Sequence, residues 1–153
     1  MAEELVREVW SRFKCNVVVT EARGTCSRTV ARSLASYIHR VAERLGVSAI
    51  ELLDEINPGL SAEENIVNIL LSRGIEVPGD IVEAARSLTE LLTRARRLRE
   101  EMAMLRPEHR PLVEGELRDV SRRASEARRE LSARLREIVE TVSPPARPPA
   151  RPP

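Results

Sequence analysis

At 153 residues, with 25 basic and 24 acidic side chains and a net charge of +1, the chain can bury one core of ordinary size plus an appendage and is short for two full domains. The charge stays near zero segment by segment, which argues against the strongly basic face of a duplex-binding protein. No apolar run is long enough to cross a bilayer, and Glu3, Glu4, Arg7 and Glu8 stand where a signal peptide needs an unbroken apolar stretch, so a soluble cytoplasmic protein with no membrane contact is expected.

Every basic residue except Lys14 is arginine, the acids are nearly all glutamate, and glutamine is absent. Many Arg and Glu beside few thermolabile amides suit a thermophile protein, in which ion-pair networks lose less to desolvation; codon bias in a GC-rich genome gives the same picture. Cys15 and Cys26 are too few and too far apart, without histidine partners nearby, for a zinc site. They read as a buried thiol pair or as a disulfide.

A first helix is expected from Ala2 to Lys14, docking through Leu5, Val6, Val9, Trp10 and Phe13. The β-branched run in Asn16–Thr20 disfavours helix and leads into a turn at Glu21-Ala22-Arg23-Gly24. It reads as one short β-strand or as an extended linker; no second strand is written in the chain, so a strand would need a symmetry mate. Ser27 or Thr25 can cap a second helix through Leu45, with Val30, Leu34, Tyr37, Ile38 and Val41 as its apolar stripe and Gly46 as its end. Ser48 with Glu51, and Ser61 with Glu64, form capping boxes for helices through Ile56 and Ser72, and Gly74 closes the second of these. Pro78-Gly79 breaks the chain before Asp80 and Glu83 open the next helix.

From there the pattern becomes a heptad: Ile81, Ala84, Leu88, Leu91, Ala95, Leu98, Met102 and Leu105 alternate spacings of three and four. Pro107 and Pro111 bracket a turn, and a second seam follows at Val113, Leu117, Val120, Ala124, Ala127 and Leu131, slipping to Leu135, Ile138 and Val142. Two helices of about 40 Å each should fold back on one another. Ala85, Leu92, Leu112 and Leu135 widen the seams toward a third helix, so either the N-terminal helices or the same hairpin of a second subunit must cover them. After Ser143 the Pro-Pro-Ala-Arg repeats read as a disordered polyproline tail.

Three short stretches carry family resemblances. Arg40 to Leu53, with Gly46 at the turn, resembles the helix-turn-helix of DNA-binding domains, yet its second helix bears Glu51, Asp54 and Glu55 and no cation to meet phosphates. Cys26 to Ser33, with Arg32, resembles the phosphate loop of cysteine phosphatases; it lacks the glycines and the parallel sheet that chemistry uses. Arg32 and His39 resemble the Arg and His pair of HEPN ribonucleases, which are helical and usually dimeric. Seven residues apart, they share a helical face, and the resemblance implies joint contact with an RNA phosphate.

The fold expected is all-α: an N-terminal small helical region over residues 1–78, with at most one short β-strand, then a long antiparallel coiled-coil hairpin over 79–142 in a helical bundle, and a tail over 143–153. No paired carboxylates, histidine cluster or nucleophile with a base stands out, so an enzyme is unsupported and no cofactor or metal is expected. The investment in a heptad hairpin points to a non-enzymatic scaffold or adaptor, a homo-oligomer (dimer) that also binds a protein partner through Leu88, Leu91, Leu92, Leu98, Leu117, Leu131 and Leu135. The alternative is nucleic-acid binding through the hairpin arginines Arg94, Arg96, Arg97 and Arg99, whose interleaved acids otherwise make an ordinary solvated face.

Overall fold

Helix α1 (Ala2–Arg12) lays Leu5, Val9 and Phe13, one turn apart, against α2 (Arg28–Leu45), which answers with Ala31, Leu34, Ala35, Ile38, Val41 and Ala42. The computed structural model describes residues 2–13, 17–20 and 28–142, and all regular elements among them are helical. Trp10 falls off the docking face and is exposed. Cys15, Cys26 and the tail lie outside the described residues. At the far end of α1, Arg12 bonds Asp54 at 2.6 Å and Glu8 at 3.2 Å, and the first of these bonds does most to raise its pKa.

The valine run is not a strand. Val18–Thr20 forms a single 3-10 turn, in which Thr20 N–H donates to Val17 O and Val19 N–H donates to Pro58 O at 3.1 Å. No strand lies among the described residues to complete a ladder, so β-propensity has nothing to act through. Burial decides the conformation instead, with Val18 and Val19 packed into two different apolar clusters.

Two helices end alike. Gly46 (φ 70) and Gly74 (φ 74) take the left-handed conformation open to glycine, and Val47 and Ile75 N–H reach back to Ala42 and Leu70 O, both at 3.0 Å. Helix α3 (Ala49–Leu53) starts after Ser48, whose side chain makes no capping bond, so that expected box is absent. Helix α4 (Ala62–Ser72) does carry its cap: Ser61 Oγ accepts from Glu64 N–H at 3.0 Å. The reciprocal half of that box is replaced from α5 (Gly79–Met104), where Thr89 Oγ1 accepts from Ser61 N–H and donates to Ser61 Oγ, both at 3.0 Å.

After α5, a 3-10 turn (Pro107–His109) leads into α6 (Arg110–Thr141), and the two long helices pack along each other. Their ion pairs come in reverse order, Asp80 with Arg134 and Arg94 with Glu116, as in helices running in opposite directions. The buried stripe of α5 is Ile81, Ala85, Leu88, Leu92, Ala95 and Leu98, while the seam positions Ala84, Leu91, Met102 and Leu105 are only half-buried. The cause is lateral. Val18 and Val67 of α4 pack on Ala85, Leu88, Leu92 and Leu135, so the N-terminal elements cover this flank within one chain. Leu112 lies beyond them and is uncovered, contrary to the expectation for a seam flank. From Ala95 outward the buried cluster, Ala95, Leu98 and Val120, is edged only by Leu91, Val113 and Leu117 of the same two helices. The last nine residues of α5 thus project by about 14 Å.

Candidate functional site

The α2 residues Arg32, Ala35, Ser36, His39, Ala42 and Glu43 recur at three- and four-residue spacing and so share one face. Opposite them stand Glu3 to Val6 of α1, and the turn at Gly46 brings Val47 to Ile50 across the end. Together they enclose a cleft of about 580 Å³, within the range of about 300–1,000 Å³ usual for binding pockets. Its floor is apolar, formed by Leu5, Val6, Ala35, Ala42, Val47 and Ile50. Its rim carries the carboxylates of Glu3, Glu4 and Glu43 against the single guanidinium of Arg32.

The Arg32 and His39 pair flagged by its spacing therefore does line one cleft. Both side chains already face acids: Arg32 Nη2 lies 4.0 Å from Glu3 Oε1, and His39 Nε2 lies 3.4 Å from Glu43 Oε1. A phosphate entering here would meet three carboxylates, which disfavours the ribonuclease arrangement. Arg32 and Ser33 sit inside α2 rather than in an anion-wrapping loop. The stretch resembling a helix-turn-helix has a second helix of only five residues, with Leu52 and Leu53 buried, Asp54 bonded to Arg12, and Glu55 bonded to Arg73. What spacing alone did not disclose was the α1 wall, since the crossing of α1 over α2 is not a local property of either helix.

On the hairpin, Arg94 pairs with Glu116, Arg96 with Glu100 at 3.1 Å, and Arg97 is exposed. Arg99 is half-buried, and its desolvation lowers its pKa. Leu88, Leu92, Leu98, Leu131 and Leu135 are buried inside the chain, and Leu91 and Leu117 are half-buried at its edge. The apolar surface left outside is at the hairpin end, where Met104 is 89% and Leu112 85% exposed on either side of the turn.

That turn is held by its own bonds: His109 N–H donates to Arg106 O at 2.9 Å, and Arg110 Nε donates to Leu105 O at 3.2 Å. Among the described residues no helix is long and apolar enough to cross a membrane, and no group of three His, Cys, Asp or Glu side chains is placed to hold a metal ion. No family model, curated protein or solved structure matches this chain.

Proposed function

We propose that the protein is a non-enzymatic helical adaptor that associates with itself and holds a protein partner through the end of its α5–α6 hairpin. The observation that carries this reading is the pair Met104 and Leu112, nearly fully exposed at a projecting, hydrogen-bonded turn. Burying a side chain of that size contributes about 2 kcal/mol, and a turn already fixed in shape loses little freedom on binding. The seam leucines support the reading indirectly, by making the hairpin a stiff arm.

The test is a native pull-down with and without nuclease, comparing the full chain with a Met104→Glu, Leu112→Glu variant. A protein retained after nuclease and lost with the variant is the expected result. Recovery that depends on nucleic acid overturns it in favour of the second reading, which draws support from Arg118, Arg122, Arg129 and Arg136, all exposed and spaced four and seven residues along α6. Arg122 is already bonded to Asp119 at 2.8 Å and lies 3.7 Å from Glu126, which weakens that stripe as a polyanion surface.

A further inference from the structure

We propose that the hairpin end of one copy seats in the cleft between α1, α2 and α3 of a second copy, so that self-association is head-to-tail. This rests on the self-association reading above and names the two surfaces it uses.

The surfaces complement each other. The cleft has an apolar floor, and its rim carries two more acids than cations: Glu3, Glu4 and Glu43 against Arg32. The hairpin end presents two apolar side chains, Met104 and Leu112, framed by Arg106 and Arg110 against Glu108, with His109 between them. Immediately further down the arm, Glu100, Glu101, Glu114 and Glu116 reverse the charge, so only the last turn is suited to an acidic rim. A cleft of about 580 Å³ has room for such an apolar pair.

The arm cannot reach its own cleft. Ile138 and Val139 of α6, with Val142 just after its end, pack into the same cluster as Leu5, Val9 and Leu45, at the cleft end of the molecule. Leu112 is 26 residues earlier on the same unbroken helix, about 39 Å away. The contact must therefore join two molecules, and because the surfaces differ it leaves one cleft and one arm free at the two ends, the free arm being the one that holds the protein partner. Such heterologous contacts add further copies into open chains or rings.

The experiment uses sedimentation velocity over a concentration series on the full chain and two variants, each altered only at exposed positions. One is Glu4→Arg with Glu43→Arg on the cleft rim; the other is Arg110→Glu with Leu112→Glu on the arm. Wild type should grow beyond dimer with concentration, and each variant alone should need at least about tenfold more protein to associate, the weight of one or more interface anchors. An equimolar mixture should give a one-to-one dimer and stop, since it retains one intact arm and one intact cleft. A mixture that stays monomeric while wild type assembles, or assembly that survives both variants, overturns the head-to-tail contact and leaves self-association standing. A wild type monomeric at high micromolar concentration overturns both. Cleft binding by an unrelated peptide without self-assembly would likewise overturn the second copy as occupant.

Discussion

Arg128 on α6 grips the carboxylate of Glu63 on α4 with two hydrogen bonds, Nε to Oε2 at 3.0 Å and Nη2 to Oε1 at 3.2 Å. Ser132 Oγ donates a third, at 3.4 Å, and the Glu63 side chain is only 6% exposed. This bond set ties the arm to the N-terminal helices across 65 residues of sequence. Removing Arg128 strands a buried carboxylate, so Arg128→Ala should cost about 3 kcal/mol in urea unfolding. Replacing both partners by leucine should recover most of that loss, because neither charge is then left without the other. A single variant costing under about 1 kcal/mol would mean that water already reaches Glu63.

Tyr37, the chain's only tyrosine, lies near the same site, with its hydroxyl buried and without a hydrogen-bond partner. Desolvation raises its pKa first, and the charge of Glu63 adds to the effect, partly offset by Arg136, Arg128 and Arg40. The folded pKa thus lies above the unfolded value of about 10, so its contribution to stability is complete below that pH and is lost as pH rises through the folded value. Phenolate absorbance should appear later in folded protein than in denatured protein, and a coincident pair of titrations would contradict the burial. Tyr37→Phe should be neutral or up to about 1 kcal/mol stabilising at neutral pH, since it removes a hydroxyl that has no partner.

Most features set by a few neighbouring residues were legible in the sequence, the Ser48–Glu51 box being the exception. Gly46 and Gly74 end helices because only a left-handed turn lets Val47 and Ile75 reach back, and Pro107 and Pro111 fix the turn of the arm. Features set by packing between distant segments were not. The sequence marks Ala85 and Leu92 as flanks in need of cover but leaves open whether the N-terminal helices or a second subunit supplies it. Val18 and Val67 do, and they bury these two positions more deeply than the seam residues Ala84 and Leu91, which no heptad count contains. The spacing of Arg32 and His39 predicted a shared face, and Glu43 one turn after His39 lies on it too, whereas the other two carboxylates of the rim, Glu3 and Glu4, come from α1.

Glu55 and Arg73 form a two-pronged pair at 2.7 and 2.9 Å, and Asp80 bonds Arg134 at 2.6 Å. In each case the arginine hydrogen bond is the main cause of a lowered carboxylate pKa. A lowered folded pKa gives stability that is present above the unfolded value, about 4 for these groups, and is lost as pH falls through the folded one. The melting temperature should therefore fall below about pH 4. Glu55→Gln should flatten part of that fall while costing up to about 1 kcal/mol at pH 7, as expected for a largely exposed pair. An acid profile unchanged by Glu55→Gln and Asp80→Asn together would show that these pairs do not contribute.

Asn65, buried in the first half of α4, holds the preceding loop with both ends of its amide. Its Oδ1 accepts from Asn57 N–H at 2.7 Å, and its Nδ2 donates to the carbonyls of Asn57, Leu60 and Ser61 at 2.9, 3.3 and 2.9 Å. The same loop supplies Pro58 O to Val19 N–H, so the amide also supports the 3-10 turn beneath α5. Asn65→Leu leaves these backbone groups without their partner and should cost about 2–3 kcal/mol. Asn65→Asp is the sharper probe because it is nearly isosteric but turns an oxygen toward three carbonyls. Those carbonyls favour the protonated acid, raising the folded pKa above the unfolded value. Stability should then be closest to wild type below about pH 4, the unfolded value, and decline as pH rises, opposite to the acid loss expected from Glu55 and Asp80. Urea midpoints for Asn65→Asp that follow the wild-type pH trend would show that the amide donor is not what holds the loop.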